Sequence, residues 1–125
     1  MKKILIIEDE FAYQQILKNE LVGKGYTVVE AIDGKKGLEM AESEKPDLII
    51  LDIRMPIMDG MTMLGLLRKE EWGKKIKVVV LTNLEPNDKI LENVVTDEPS
   101  YYFIKSDIKL DELLAKTKDL LGEQL

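Results

Sequence analysis

The chain has 125 residues, 45% of them hydrophobic and 34% charged, with a formal net charge of −6 at pH 7, which suits one soluble domain with enough apolar mass for a core. It contains no cysteine and no histidine, so a disulfide framework, a thiolate metal site and a histidine base are excluded, and any metal must be an oxygen-bound ion such as Mg²⁺, Mn²⁺ or Ca²⁺. The acidic balance argues against binding to a nucleic-acid backbone by this chain alone. In chain order, Met1-Lys2-Lys3 leads into the apolar run Ile4 to Ile7, which Glu8 cuts off. That run is too short for a signal peptide, and no stretch reaches membrane-spanning length, so a cytoplasmic location is the default expectation.

The run Ile4–Ile7 predicts a first strand. Phe11 to Lys24 follows with Phe11, Ile16, Leu17 and Leu21 at roughly helical spacing, and Gly23 and Gly25 signal its end. Val28-Val29 predicts a second strand. Asp33-Gly34 opens a second helix carrying Leu38 and Met40-Ala41, which Pro46 terminates. The third strand is Leu48–Leu51, followed by a helix over Met61–Lys69 with Leu64 and Leu67. Val78–Leu81 predicts a fourth strand, and Pro86 suits the first turn of a helix reaching about Val95. Tyr101–Ile104 predicts the last strand. The last helix carries Leu110, Leu113, Leu114, Leu120 and Leu121, with Asp111 and Glu112 placed to suit the helix dipole.

Three of these strand runs are continuous and rich in β-branched residues, the pattern of strands covered on both faces. Five β-α alternations with short connections predict an α/β fold, a (βα)5 doubly wound parallel sheet of five strands. No repeat or linker interrupts residues 1–125, and the last helix ends near the final residue. A single domain without an effector domain is therefore expected.

The chemistry lies at the strand ends. The first strand ends in Glu8-Asp9, the third in Asp52, the fourth in Thr82 and the fifth in Lys105. In a parallel sheet these ends share one edge, where ligands bind. Singly, each residue has a plain structural explanation: helix caps for the acids, a β-former for Thr82, a solvated charge for Lys105. Together they bring three carboxylates, a hydroxyl and an ammonium to one crevice. Three carboxylates repel; Lys105 offsets one charge, and a divalent cation such as Mg²⁺ would offset two more. With no histidine, cysteine or serine elbow, the candidate nucleophile is a carboxylate, as in enzymes that form aspartyl phosphate. Metal, ammonium and hydroxyl would hold the phosphoryl group, since its transfer needs positioning and charge stabilisation more than a base. Gly34-Lys35-Lys36-Gly37 lacks the spacing of a phosphate loop, and Lys74-Lys75-Ile76-Lys77 is expected to be a solvated entry to a strand.

The segments Ile6-Ile7-Glu8-Asp9-Glu10, Asp47 through Asp52 to Met55-Pro56-Ile57-Met58-Asp59-Gly60, Val80-Leu81-Thr82 and Tyr102-Phe103-Ile104-Lys105 resemble the response-regulator receiver family of two-component signalling along essentially the whole chain. The resemblance implies a flavodoxin-like sheet of order 2-1-3-4-5 and a phosphoprotein that is no enzyme beyond phosphorylation and dephosphorylation of itself. It implies that Asp52 accepts the phosphoryl group. Asp9, Asp52 and the backbone carbonyl of Arg54 would ligate Mg²⁺, with Mn²⁺ as a substitute, and Glu8 would act through water. Thr82 and Lys105 would bind phosphoryl oxygens, and Tyr102 would be a switch aromatic turning inward as Thr82 moves. A histidine kinase or histidine phosphotransfer protein would be the donor. A downstream protein, unidentified by sequence, would read the face made by the fourth helix, the last strand and the last helix. Three departures stand out: Ser106 where the family usually has proline, Asn83 where a small residue is usual, and Thr96–Ser100 in place of a glycine-alanine turn.

Two other readings compete. One is a Mg²⁺-dependent phosphatase with an aspartyl nucleophile; such enzymes commonly carry a second Asp two positions on, where this chain has Arg54. The other is a receiver-like interaction domain that is never phosphorylated, against which the complete acidic set argues.

Overall fold

The computed structural model describes residues 2–83 and 101–122. Five strands, β1 (Lys3–Ile7), β2 (Thr27–Ala31), β3 (Leu48–Leu51), β4 (Lys77–Thr82) and β5 (Tyr101–Ile104), form one sheet in the order β2-β1-β3-β4-β5. Every neighbouring pair is parallel. The helices among the described residues are α1 (Phe11–Gly23), α2 (Gly34–Glu44), α3 (Gly60–Lys69) and α4 (Leu110–Leu120), with a 3₁₀ turn at Glu71–Gly73. The helix expected over residues 86–95 and the stretch 96–100 lie outside the described residues.

Alternation along the strands explains the continuous apolar runs. Leu5, Ile7, Ile49, Leu51, Val78 and Val80 point to one face, where they pack with Ala41 of α2 and Met63, Leu64 and Leu67 of α3. Ile4, Ile6, Leu48, Ile50, Val79 and Leu81 point to the other, against Leu17 and Leu21 of α1 and Leu113 of α4. A strand buried on both faces has no polar position to offer.

The expected apolar stripe of α1 is corrected by the structure. Phe11 is 71% exposed and Ile16 is exposed as well; the buried positions are Gln14, Leu17 and Leu21, one consistent three- and four-residue spacing. Gln14 tolerates burial because its side-chain amide donates to the carbonyls of Glu8 and Ala31, each at 3.1 Å. That bond pins α1 to the ends of β1 and β2.

Aspartates begin the next two helices. Asp33 accepts from the Lys36 backbone N–H at 2.8 Å, and Asp59 accepts from that of Thr62 at 2.8 Å, both as N-caps. Gly34-Lys35-Lys36-Gly37 is thus the first turn of α2, as the missing phosphate-loop spacing implied. Lys74 and Lys75 are exposed just before β4.

Between β3 and α3 the backbone turns sharply. Ile57 adopts φ of +68° with its side chain 79% exposed. A β-branched residue in the left-handed region is strained by about 1–2 kcal/mol, and exposure means that little packing is lost on truncation. Ile57→Gly is therefore expected to raise stability by about 1 kcal/mol, read as a higher urea midpoint with an unchanged m-value.

Candidate functional site

The sheet order reverses direction at β1, which has β2 on one side and β3 on the other. Crevices open at such a point, beyond the carboxyl ends of the strands. Two backbone bonds extend the ladders past the strands and fix the residues there: Glu8 N–H donates to the Ala31 carbonyl and Asp52 N–H to the Ile7 carbonyl, both at 3.0 Å. Glu8 and Asp52 are consequently buried. On the far side, Lys105 N–H donates to the Thr82 carbonyl at 2.8 Å, which brings the ends of β4 and β5 together.

A cavity of about 380 Å³ lies over these ends, lined by Asp9, Glu10, Asp52, Arg54, Thr82, Asn83 and Lys105. The Lys105 ammonium is its electrostatic centre. It donates to Glu8 Oε1, to Glu10 Oε1 at 3.0 Å and to Asp52 Oδ2 at 3.1 Å, and it lies 4.7 Å from the centroid of the Tyr13 ring, a cation–π contact. The other Asp52 oxygen, Oδ1, accepts from the Ile53 N–H at 2.7 Å, so Oδ2 is the one shared with the lysine.

The residues singled out in the sequence are placed as follows. Asp52, Thr82 and Lys105 line one cavity with Asp9 and Arg54. Glu8 lies behind it, bonded to Lys105. Among the described residues, the carboxylates that come within 4.8 Å of one another are those of Glu8, Glu10 and Asp52, whereas Asp9 is exposed at the cavity wall. Tyr102 is half-buried on β5, packed toward the core face shared with α2 and α3. Asn83 is exposed at the rim. Two residues were missed. Glu10 directly follows the acidic pair, and a third consecutive acid at a strand end was a usable signal. Tyr13 is three residues further on, hence on the same helix face.

Three carboxylates around one ammonium leave excess negative charge. Burial raises the Glu8 carboxyl to about 8; the adjacent Asp52 carboxylate adds to the rise and Lys105 opposes it. For Lys105, burial acts to lower the ammonium's pKa, but the bonds to Glu8 and Glu10 and the charge of Asp52 outweigh it and hold it above the ordinary lysine range. Among the described residues Glu8 Oε2 is buried with no hydrogen-bond partner, so the set has one more oxygen than these residues satisfy. All the donors there are oxygens, which suits a hard divalent cation.

The raised Glu8 carboxyl has a pH consequence. Between the ordinary glutamate value of 4.5 and about 8 this group binds more proton in the folded chain than in the unfolded one, so its contribution to stability is full below the unfolded value and is lost as pH rises through the window. Without metal, Glu8→Gln is expected to flatten the fall in stability from pH 5 to 8 by up to about 1.4 kcal/mol per pH unit, the linkage of one proton. Urea melts in EDTA check this, and parallel wild-type and variant curves would contradict it.

Residues 4–118 match the model of the response regulator receiver domain, and the chain belongs to that family. It is therefore a receiver domain of two-component signal transduction, with the parallel five-stranded fold expected from its sequence. It is 35% identical over 120 residues to the response regulator MprA of Mycobacterium ulcerans (strain Agy99), covering 95% of this chain and 50% of that protein. It is 36% identical over 122 residues to the DNA-binding dual master transcriptional regulator RpaA of Synechocystis sp., covering 97% and 49%. The chain thus spans about half the length of these curated relatives. Among solved structures, the receiver domain of the sensor histidine kinase PA1611 from Pseudomonas aeruginosa PAO1, with a magnesium ion coordinated in the active site cleft, matches with a TM-score of 0.86 at 27% identity over 98% of both chains. Among the described residues no helix is long and apolar enough to cross a membrane.

Proposed function

We propose that this domain takes a phosphoryl group onto Asp52 from a histidine kinase or a histidine phosphotransfer protein. The observation that carries this reading is the Lys105 ammonium bonded to Asp52 Oδ2 at 3.1 Å in a cavity also lined by Thr82. A carboxylate nucleophile needs no general base, in keeping with a chain that has no histidine. Asp52 Oδ2 attacks phosphorus, the phosphorus–nitrogen bond of the donor phosphohistidine breaks, and the imidazole leaves with the bonding electrons. Lys105 and the Thr82 hydroxyl hold the phosphoryl oxygens, while the Ile53 N–H keeps Oδ1 in place. These groups supply the positioning that phosphoryl transfer requires.

Asp9, Asp52 and the Arg54 carbonyl would hold Mg²⁺, with Mn²⁺ as a substitute, and Glu8 would assist through water. Glu8 Oε2, without a partner among the described residues, and the all-oxygen donor set favour such an ion. Bound magnesium would offset the charge of the carboxylates and of the phosphoryl oxygens. The chain's catalysis would be limited to its own phosphorylation and dephosphorylation.

The added phosphoryl charge gives Thr82 a new charge-assisted bond and Tyr102 a reason to turn inward, altering the face of β5 and α4. A partner protein in the cytoplasm would read that face. Incubation with acetyl phosphate and magnesium tests the reading: a transient acyl phosphate on the Asp52 peptide is expected. Steady turnover without an adduct would favour a phosphatase, and no reaction an unphosphorylated interaction domain.

A further inference from the structure

A lysine ammonium has three N–H donors, and in this site each has a carboxylate: Glu8, Glu10 and Asp52. A phosphoryl oxygen can join only if one of them lets go. Release is not equally easy for the three. The side chains of Glu8 and Asp52 are 3% and 8% exposed, and a buried carboxyl left without its hydrogen-bond partner, charged or neutral, is strongly unfavourable. The Glu10 side chain is 62% exposed, so water replaces the ammonium at once, and exposed ion pairs are weak. Glu10 is also the N-cap residue of α1, yet its side chain makes no capping bond; it reaches Lys105 instead. The Tyr13 ring, on the same helix face, covers the ammonium from another side.

We propose that Glu10 is an exchangeable placeholder on Lys105, a positioning residue whose carboxylate holds one ammonium N–H until an incoming phosphoryl oxygen displaces it into water. The inference rests on Asp52 being the acceptor. Acceptance then displaces one anion with another, and Glu10 opposes the donor's entry both by occupying the ammonium and by its own charge. Glu10 also lies within 4.8 Å of Glu8 and Asp52, which makes a cation ligand the competing assignment.

Initial rates of labelling of the full chain by acetyl phosphate, at saturating magnesium and varied donor concentration, separate these. Glu10→Gln is expected to lower the half-saturating donor concentration roughly three- to tenfold, the effect of one partly screened charge a few ångströms away, with the maximal rate changed less. The advantage should shrink as potassium chloride is added, and Glu10→Asp, which keeps the charge, should stay within about twofold of wild type. An unchanged half-saturating concentration in Glu10→Gln, with wild type labelled normally, would overturn the placeholder alone. So would a loss of magnesium affinity of about a hundredfold or more by calorimetry, well beyond the effect of one partly screened spectator charge on a divalent ion. A wild-type chain that takes no label, or an Asp52→Asn chain that keeps it, would instead bring down the acceptor reading and this inference with it.

Discussion

Asp52→Asn is expected to abolish phosphoryl acceptance from acetyl phosphate while leaving the fold intact. The asparagine side-chain oxygen can still accept from the Ile53 N–H, which Asp52 Oδ1 does at 2.7 Å, so the backbone after β3 keeps its anchor. What disappears is the anionic oxygen that faces Lys105. A neutral amide is a poor nucleophile, and removal of a nucleophile from a preorganised site lowers rates by at least about 10³, below detection for a slow small-molecule donor. The substitution also removes one of the carboxylates crowded with Glu8 and Glu10, so the metal-free variant should unfold at a urea concentration no lower than wild type. Label retained at another residue would refute the assignment. Loss of label together with loss of the urea transition would mean that Asp52 is structural.

The largest expected loss of stability comes from Gly60→Ala. A β-carbon at Gly60 would stand 2.1 Å from the Asp52 carbonyl oxygen and 2.8 Å from the Ile53 Cα. Both are backbone atoms at or next to Asp52, and the Gly60 N–H is itself bonded to the Ile53 carbonyl at 2.7 Å. No side-chain rotation relieves such a clash; either α3 or the end of β3 must move. A penalty of about 3 kcal/mol or more is expected, beyond ordinary overpacking because backbone is displaced. Labelling should fall as well, even under conditions where the variant remains folded, because the displaced segment carries Asp52. A Gly60→Ala chain within about 0.5 kcal/mol of wild type would show that this loop has slack.

The centre of the sheet was legible because β1, β3 and β4 are buried on both faces: Leu5, Ile49 and Val78 serve one core face while Ile4, Leu48 and Val79 serve the other. That doubling produces the continuous runs, and the polar residue ending each run marks the ligand edge. Side-chain choices on α1 were less legible. Phe11 and Ile16 have the composition of a buried stripe, but helix phase puts them in solvent, and Gln14 takes a buried place through bonds to two carbonyls far apart in sequence. Glu10 passed unremarked because an acid next to an acidic pair reads as one more cap, and only the long reach of Lys105 across 95 residues gives it a role. The left-handed backbone of Ile57 could not be read from that residue's type, since a β-branched side chain disfavours it.

The bond from the Lys105 amide to the Thr82 carbonyl fixes the bite of the site. Because Thr82 pairs with Ile104 and this slanted rung holds the next residue, the hydroxyl-bearing and ammonium-bearing positions sit on adjacent strands, about 4.8 Å apart, offset by one residue along them, a gauge that helices cannot widen. Sequence drift on the outer surfaces can then proceed without recalibrating the gap between the hydroxyl and the ammonium, the two groups proposed to grip the phosphoryl oxygens.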